Sequence, residues 1–257
     1  MTNQIVTLNN PMTVSMADSW YEHTKLDHFW IRHRNAVLDR HFGQIIRQSE
    51  AIGEVGCGNG LILTHIAKSY KKAVDGLELN LSALRLCPTV PGTLYVYDIL
   101  TLNPKMVNKY DLLMMIDVLE HIEEEHKFLL AVREHLKLGG FLIIGVPMRQ
   151  HLYSAYDRAD GHYRRYSTKY FKYLIQASGF KVRQMVQWGH IYIPLLMLRK
   201  FMLQQQPHIS QEEIIRKGFA ISDTANFLLG MLRYFDVIPN FNLTGASSFI
   251  LAQKCDF

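Results

Sequence analysis

Cysteine is scarce in this chain and makes no pattern. Cys57, Cys87 and Cys255 are three in 257 residues, with no CxxC or other metal-ligand spacing. An odd, scattered set excludes a disulfide framework and a zinc site, so no metal is expected and a reducing compartment, the cytoplasm, is. Long apolar runs are missing as well. None approaches the roughly 20 residues that a membrane-crossing helix needs. The longest, residues 191–198, contains Pro194 and is stopped by Arg199 and Lys200. The first 16 residues lack a basic segment followed by an apolar one, so they do not read as a signal peptide and are expected to be loosely attached. Charge of one sign is not concentrated anywhere. The net charge of +5 is spread along the chain, which argues against nucleic acid as a partner. No internal repeat or low-complexity stretch interrupts what remains, one α/β domain over residues 17–257.

What the chain does have is a strand that collapses into glycines. Residues 51–60 read Ala-Ile-Gly-Glu-Val-Gly-Cys-Gly-Asn-Gly and run into a helical stretch at 61–67. Gly56, Gly58 and Gly60 can take positive φ and turn amide N–H groups toward an adenosine-like ligand. The dinucleotide fingerprint G-x-G-x-x-G would need glycine at position 61, where Leu61 stands. A second strand, 73–78, ends in Glu78 with Leu79 beside it, about twenty residues after the glycines. A carboxylate there is placed to accept two hydrogen bonds from a ribose diol; the bland alternative is a solvated strand end.

Strands and helices then alternate, which predicts a doubly wound, mostly parallel sheet. Residues 81–86 read as a short helix and 93–99 as a strand ending at Asp98, placed for an adenine amino group with Ile99 beside the ring. Residues 111–117 form an apolar run expected of a strand buried on both faces. A charged helix is predicted over 119–138, closed by Gly139 and Gly140, with strand 141–147, helix 168–178 and strand 180–188 after it. A final strand at 248–254 makes seven. Between the last two lies a helical insertion, 189–245, with helices expected at 191–203, 211–218 and 222–234. Its apolar face suits a cover over a substrate better than a membrane contact.

Ligands in open α/β sheets bind beyond the carboxyl ends of the strands. Asp117, with Glu120 three residues on, has a capping-box pattern and is expected both to cap the helix and to line the pocket. His121, one turn later, is a candidate general base. The loop 157–167 gathers Asp157, Asp160, His162, Arg164, Arg165 and Tyr166 just before the 168–178 helix. His162 is a second candidate base for a hydroxyl acceptor. Arg164 and Arg165 suit an anion, one of them clamping it while the other pairs with Asp157 or Asp160. A helical segment over 16–42 reads as a lid, its domain portion spanning 17–49, with Trp30 and Arg34 on one face. Arg32 or Arg34 is placed to reach a carboxylate.

The motif Glu54-Val-Gly56-Cys57-Gly58-Asn-Gly60, together with Glu78, Asp98, the Asp117–Ile122 segment and Gly161-His162-Tyr-Arg164-Arg165-Tyr166, resembles the class I S-adenosylmethionine-dependent methyltransferases. The branch it is similar to includes the ubiquinone-biosynthesis O-methyltransferases. The likeness covers residues 18–188 and returns at 241–254. It implies a seven-stranded Rossmann-like sheet with the last strand antiparallel, and an N-terminal helical lid. It also implies an enzyme that uses S-adenosylmethionine and releases S-adenosylhomocysteine. Cofactor contacts are then expected from Glu54, Gly56, Cys57, Gly58, Gly60, Glu78, Leu79, Asp98, Ile99, Asp117 and Arg34. The acceptor, a small or medium-sized molecule methylated on oxygen or nitrogen, is expected against Trp30, Arg164, Arg165, Tyr166 and Tyr192. The Asp117–Glu120 tetrapeptide is not the Asn/Asp-Pro-Pro-aromatic sequence of base-amine methylation, which argues against nucleic acid. A non-catalytic partner subunit would have no need of the glycines and the strand-end acids together. The long insertion and Gly76 inside the second strand depart from the common pattern.

Overall fold

The apolar run centred on Leu112–Ile116 lies mid-sheet in the computed structural model, which describes residues 3–10, 21, 24–205, 208–219, 221–236 and 245–256. It forms β5 (Tyr110–Ile116), and its alternate residues feed two cores. Leu113 and Met115 pack on one face, against Leu129 and Phe171; Leu112, Met114 and Ile116 pack on the other, against Phe42, Ile46 and Ile66. Both faces being covered, the strand is apolar throughout rather than alternating.

Around it stand β1 (Ile5–Thr7), β2 (Ile52–Val55), β3 (Asp75–Glu78), β4 (Leu94–Val96), β6 (Leu136–Pro147), β7 (Phe180–Trp188) and β8 (Ser247–Lys254). Their order is β1-β4-β3-β2-β5-β6-β8-β7. All pairs are parallel except those of β8, which runs antiparallel to both β6 and β7. The antiparallel final strand is therefore as expected. The sheet has eight strands rather than seven because Ile5–Thr7 pairs with β4, so this part of the amino-terminal stretch is not loosely attached. Residues 1, 2 and 11–16 of that expectation lie outside the described residues, as do 16–20, 22 and 23 of the proposed lid.

Residues 24–28 are not helical, so the segment expected over 16–42 is not one continuous helix; after that break α1 (Phe29–Gln48) runs past Phe42, and the ring nitrogen of His28 caps it by accepting from Trp30 N–H. With α2 (Leu61–Tyr70) and α3 (Leu81–Leu86) it covers one face of the sheet, while α4 (Glu125–His135) and α6 (Thr168–Ala177) cover the other. The order in which the parallel strands are connected reverses between β2 and β5, and the crevice at their carboxyl ends is where such sheets bind ligands.

The single helix expected over 119–138 is a correction. Leu119–His121 is one tight 3₁₀ turn, and α4 starts only at Glu125. Asp117 does not cap it: its φ is +57°, and its carboxylate accepts from Arg34 instead. At the far end Leu136 turns extended to pair with Tyr110, so Gly139 and Gly140 lie inside β6. A Cβ on Gly140 would lie 2.8 Å from the Lys137 carbonyl, which makes the pair a kink in a strand and not a helix stop.

The insertion follows its expected course, with α7 (Ile193–Gln204), α8 (Gln211–Phe219) and α9 (Asp223–Asp236). It does not simply pad the sheet edge. Leu203, Ile214 and Ile215 form a small core with Tyr156 and Ala159 of α5 (Ala155–Ala159). At the carboxyl end of α9, the Asp236 carboxylate accepts from Gly189 and Ile191 N–H and faces His33 of α1 at 3.2 Å. Among the described residues, no helix is long and apolar enough to cross a membrane.

Candidate active site

The glycine turn after β2 is held open by its own chain. Gly56, Gly58 and Gly60 all have positive φ, at +68°, +52° and +76°. A Cβ at Gly56 would lie 2.5 Å from a Val118 methyl, and one at Gly60 2.2 Å from the Cys87 sulfur. At Gly58 the neighbour is the Tyr21 ring, 2.9 Å away. The Glu78 carboxylate fastens this turn: it accepts from Gly58 N–H at 3.0 Å, Leu79 N–H at 2.7 Å and Asn80 N–H at 2.9 Å. Burial pushes the Glu78 carboxyl up, and the three N–H donors pull it back. At 6 % exposure it is not turned to bulk water, but neither does it face the cavity.

That cavity, 390 Å³, runs from Gly56, Cys57 and Gly58 to the insertion. Of the expected cofactor residues, Arg34, Glu54, Gly56, Cys57, Gly58 and Asp117 line it, whereas Gly60, Glu78, Leu79, Asp98 and Ile99 do not. Asp98 accepts from Leu100 N–H and so shapes its own turn. Of the expected acceptor residues, Trp30 and Arg165 line the cavity together with both candidate bases, His121 and His162. Arg164, Tyr166 and Tyr192 lie elsewhere. Arg164 pairs with Glu125 and donates to the Glu123 carbonyl; Tyr166 is buried against Phe171. Tyr192 is buried against Phe29, Trp30 and His33, and its hydroxyl donates to the Leu229 carbonyl.

Two polar groups at the glycine end are unusual. Glu54 is 3 % exposed and its Oε2 has no hydrogen-bond partner among the described residues. Burial pushes its carboxyl well above the ordinary range, with the Arg34 charge opposing. Arg34 donates from Nη1 to Asp117 at 3.0 Å, while its buried Nε has no partner among the described residues.

Further along sits an ionic cluster. Ser154 and Asp157 form a capping box at the start of α5, and Asp157 also accepts from Arg165 Nε at 2.6 Å. His162 lies between two carboxylates, Nδ1 3.2 Å from Asp157 and Nε2 3.3 Å from Asp160. Burial alone would lower the His162 pKa; the hydrogen bonds to Asp157 and Asp160 overcome it and raise the group to about 10. His162 is therefore an imidazolium with both nitrogens engaged, a poor candidate for taking up a proton. Both arginines of the loop are in ion pairs, rather than one pairing and one standing by for an anion. Burial pushes His121 down to about 4, helped by the charge on His162. Glu120 is buried, its Oε2 has no partner among the described residues, and burial pushes its carboxyl up to about 8 against the opposing pull of His162. One ligand atom from each of Glu120, His121 and His162 lies within 4.8 Å of the others. An ion among them would have to displace Asp157 or Asp160 from the His162 ring.

Sequence reasoning missed Glu120, read only as a capping partner, and Arg199, read only as the stop of an apolar run. Arg199 lines the cavity and lies 3.9 Å over the Tyr156 ring. Its only sequence signal is a charge where the inner face of a helix is otherwise apolar.

Residues 23–185 match a family model described as a methyltransferase domain, more than half of the chain. The chain belongs to this family. The methyltransferase domain is 33 % identical over 99 residues to the ubiquinone biosynthesis O-methyltransferase of Rickettsia canadensis, covering 37 % of this chain and 42 % of that protein. The Rickettsia typhi protein of the same name is 27 % identical over 128 residues, 49 % of this chain and 51 % of its own. The chain thus spans about half or less of the length of these curated relatives. Among solved structures, a SAM-dependent methyltransferase from Archaeoglobus fulgidus superposes with a TM-score of 0.54 at 16 % identity, covering 86 % of this chain and 93 % of that one. A Haemonchus contortus phosphoethanolamine N-methyltransferase 2 in complex with S-adenosyl-L-methionine gives 0.56 at 17 %, covering 87 % and 52 %. These two likenesses support the fold.

Proposed function

We propose that this methyltransferase domain transfers a methyl group from S-adenosylmethionine to an oxygen or nitrogen of a small or medium-sized molecule, working in the cytoplasm. The observation that carries the reading is the pair of unsatisfied buried groups beside the glycine turn. An α-amino acid brings an ammonium that satisfies Glu54 Oε2 and a carboxylate that satisfies Arg34 Nε, and the cofactor ends in that pair of charges. When bound, S-adenosylmethionine supplies an electrophilic methyl on a sulfonium sulfur. The chain's part is then to align and desolvate the acceptor, and alignment is worth up to about 7–11 kcal/mol at best. Glu120, not His162 or His121, is placed to take a hydroxyl proton, because it alone of the three is raised toward neutrality with a free oxygen. With three N–H groups already on it and its carboxylate outside the cavity lining, Glu78 braces the glycine turn instead of holding the expected ribose diol.

The O-methyltransferase name of the Rickettsia relatives favours oxygen as the acceptor atom. The test is incubation with methyl-labelled S-adenosylmethionine and a metabolite extract containing RNA and protein. Label in a small-molecule product, lost in Gly58→Ala, is expected; label confined to RNA or protein overturns the reading.

A further inference from the structure

Arg199 stands in the cavity on the inner side of α7, and its position is costly. The guanidinium lies over the Tyr156 ring, and its buried Nε has no hydrogen-bond partner among the described residues. Stacking occupies a face of the cation and leaves its edge of N–H donors unused. The nearby carboxylates do not answer that charge. Asp157 is taken by the Ser154 hydroxyl and N–H, by His162 and by Arg165. Asp160 has Oδ2 on His162, and its Oδ1, without a partner among the described residues, forms no ion pair with Arg199. Three cations, His162, Arg165 and Arg199, therefore face two carboxylates, with Glu120 kept largely protonated by its burial. A partly buried guanidinium without an acceptor is a group awaiting an anion.

The surroundings say what the rest of the ligand is like. Leu195 and Met202, one turn to either side of Arg199, and Leu198 next to it line the cavity and are also 38 %, 53 % and 54 % exposed, so the cavity opens to the surface over an apolar sill. Ile214 and Leu229 continue the apolar wall from α8 and α9.

We propose that Arg199 is the specificity-determining residue for the methyl acceptor, and that the acceptor is an amphipathic oxyanion. Its carboxylate or phosphate lies on the guanidinium, and its apolar part leaves over Leu195, Leu198 and Met202. This rests on the methyltransferase reading above and assigns Arg199 to the acceptor, the cofactor's own carboxylate being the business of Arg34.

The experiment is titration calorimetry on the full chain saturated with S-adenosylhomocysteine, using decanoate, decyl phosphate and 1-decanol below their micelle concentrations. At least one anion is expected to bind about tenfold or more tightly than decanol, as a charge-assisted contact requires. Whichever anion binds tighter names the source of the charge. Arg199→Met removes the preference without altering decanol or S-adenosylhomocysteine binding, and Arg199→Lys restores part of it. Equal binding of anion and alcohol, binding of none of the three, or an unchanged preference in Arg199→Met overturns the assignment. So does a loss of S-adenosylhomocysteine affinity in Arg199→Met when its melting temperature is unchanged, since Arg199 would then belong to the cofactor. Failure of the unaltered protein to bind S-adenosylhomocysteine at all is the separate result that removes the underlying methyltransferase reading.

Discussion

The imidazole of His121 meets that of His162 edge-on, with ring centroids 4.7 Å apart and planes at 90°. The two rings carry different charges: His162 is held protonated by Asp157 and Asp160, and His121 is kept neutral by burial and by that neighbouring cation. Neither is then suited to remove a proton near neutral pH. Glu120→Gln is expected to slow methylation of a hydroxyl acceptor by about 10²–10⁴-fold, the usual range for losing a general base. The rate of S-adenosylhomocysteine release in the unaltered protein should rise with pH and level off above about 8, where the Glu120 carboxyl has lost its proton. A Glu120→Gln protein within a few-fold of the original contradicts this role.

The same network should be visible in stability. An unfolded histidine loses its proton near 6.5, whereas His162 in the folded chain keeps it to about 10. Its contribution is complete below pH 6.5 and drains away as pH climbs toward 10. Asp157 works at the other end. Despite its burial, the His162 hydrogen bond and the Arg165 charge hold it below the ordinary 3.8, so its contribution is present above that pH and lost below it. His162→Gln should cost roughly 3–5 kcal/mol at pH 6, as breaking a buried pair does, and much less at pH 10. Melting curves at the two pH values decide; an equal loss at both contradicts the charge assignment.

At the glycine turn, Gly60→Ala should destabilise by about 2–4 kcal/mol, combining the left-handed backbone penalty with overpacking. The added methyl would meet the Cys87 sulfur at 2.2 Å. In urea unfolding, Cys87→Ala should return the steric part and leave the backbone part. A cycle in which the two losses simply add would show that the sulfur is not the obstacle.

The sheet was legible because its signals are local. The 111–117 run, the glycine turn and the alternation at 180–188 each announce a strand within a few residues, and the insertion's helices begin and end within two residues of where periodicity puts them. What was not legible depends on contacts far apart in sequence. Asp117 looks like a cap until Arg34, 83 residues away, claims its carboxylate. Gly139 and Gly140 look like a helix stop until Tyr110 draws Leu136 into β6. The 157–167 loop stands out in the sequence by its charges, but the charge on His162 depends on two aspartates facing its two nitrogens. Arg199 shows its place only when α7 folds over the cavity.

Cofactor binding turns on the pairing of Arg34 and Glu54 with an amino-acid end. S-adenosylhomocysteine has that end, and 5′-methylthioadenosine carries the same nucleoside without it. Calorimetry should show Arg34→Leu and Glu54→Gln each weakening S-adenosylhomocysteine by roughly 10–100-fold, the value of a charged hydrogen bond, with methylthioadenosine nearly unaffected. Equal losses for both ligands, or none for either, would contradict it.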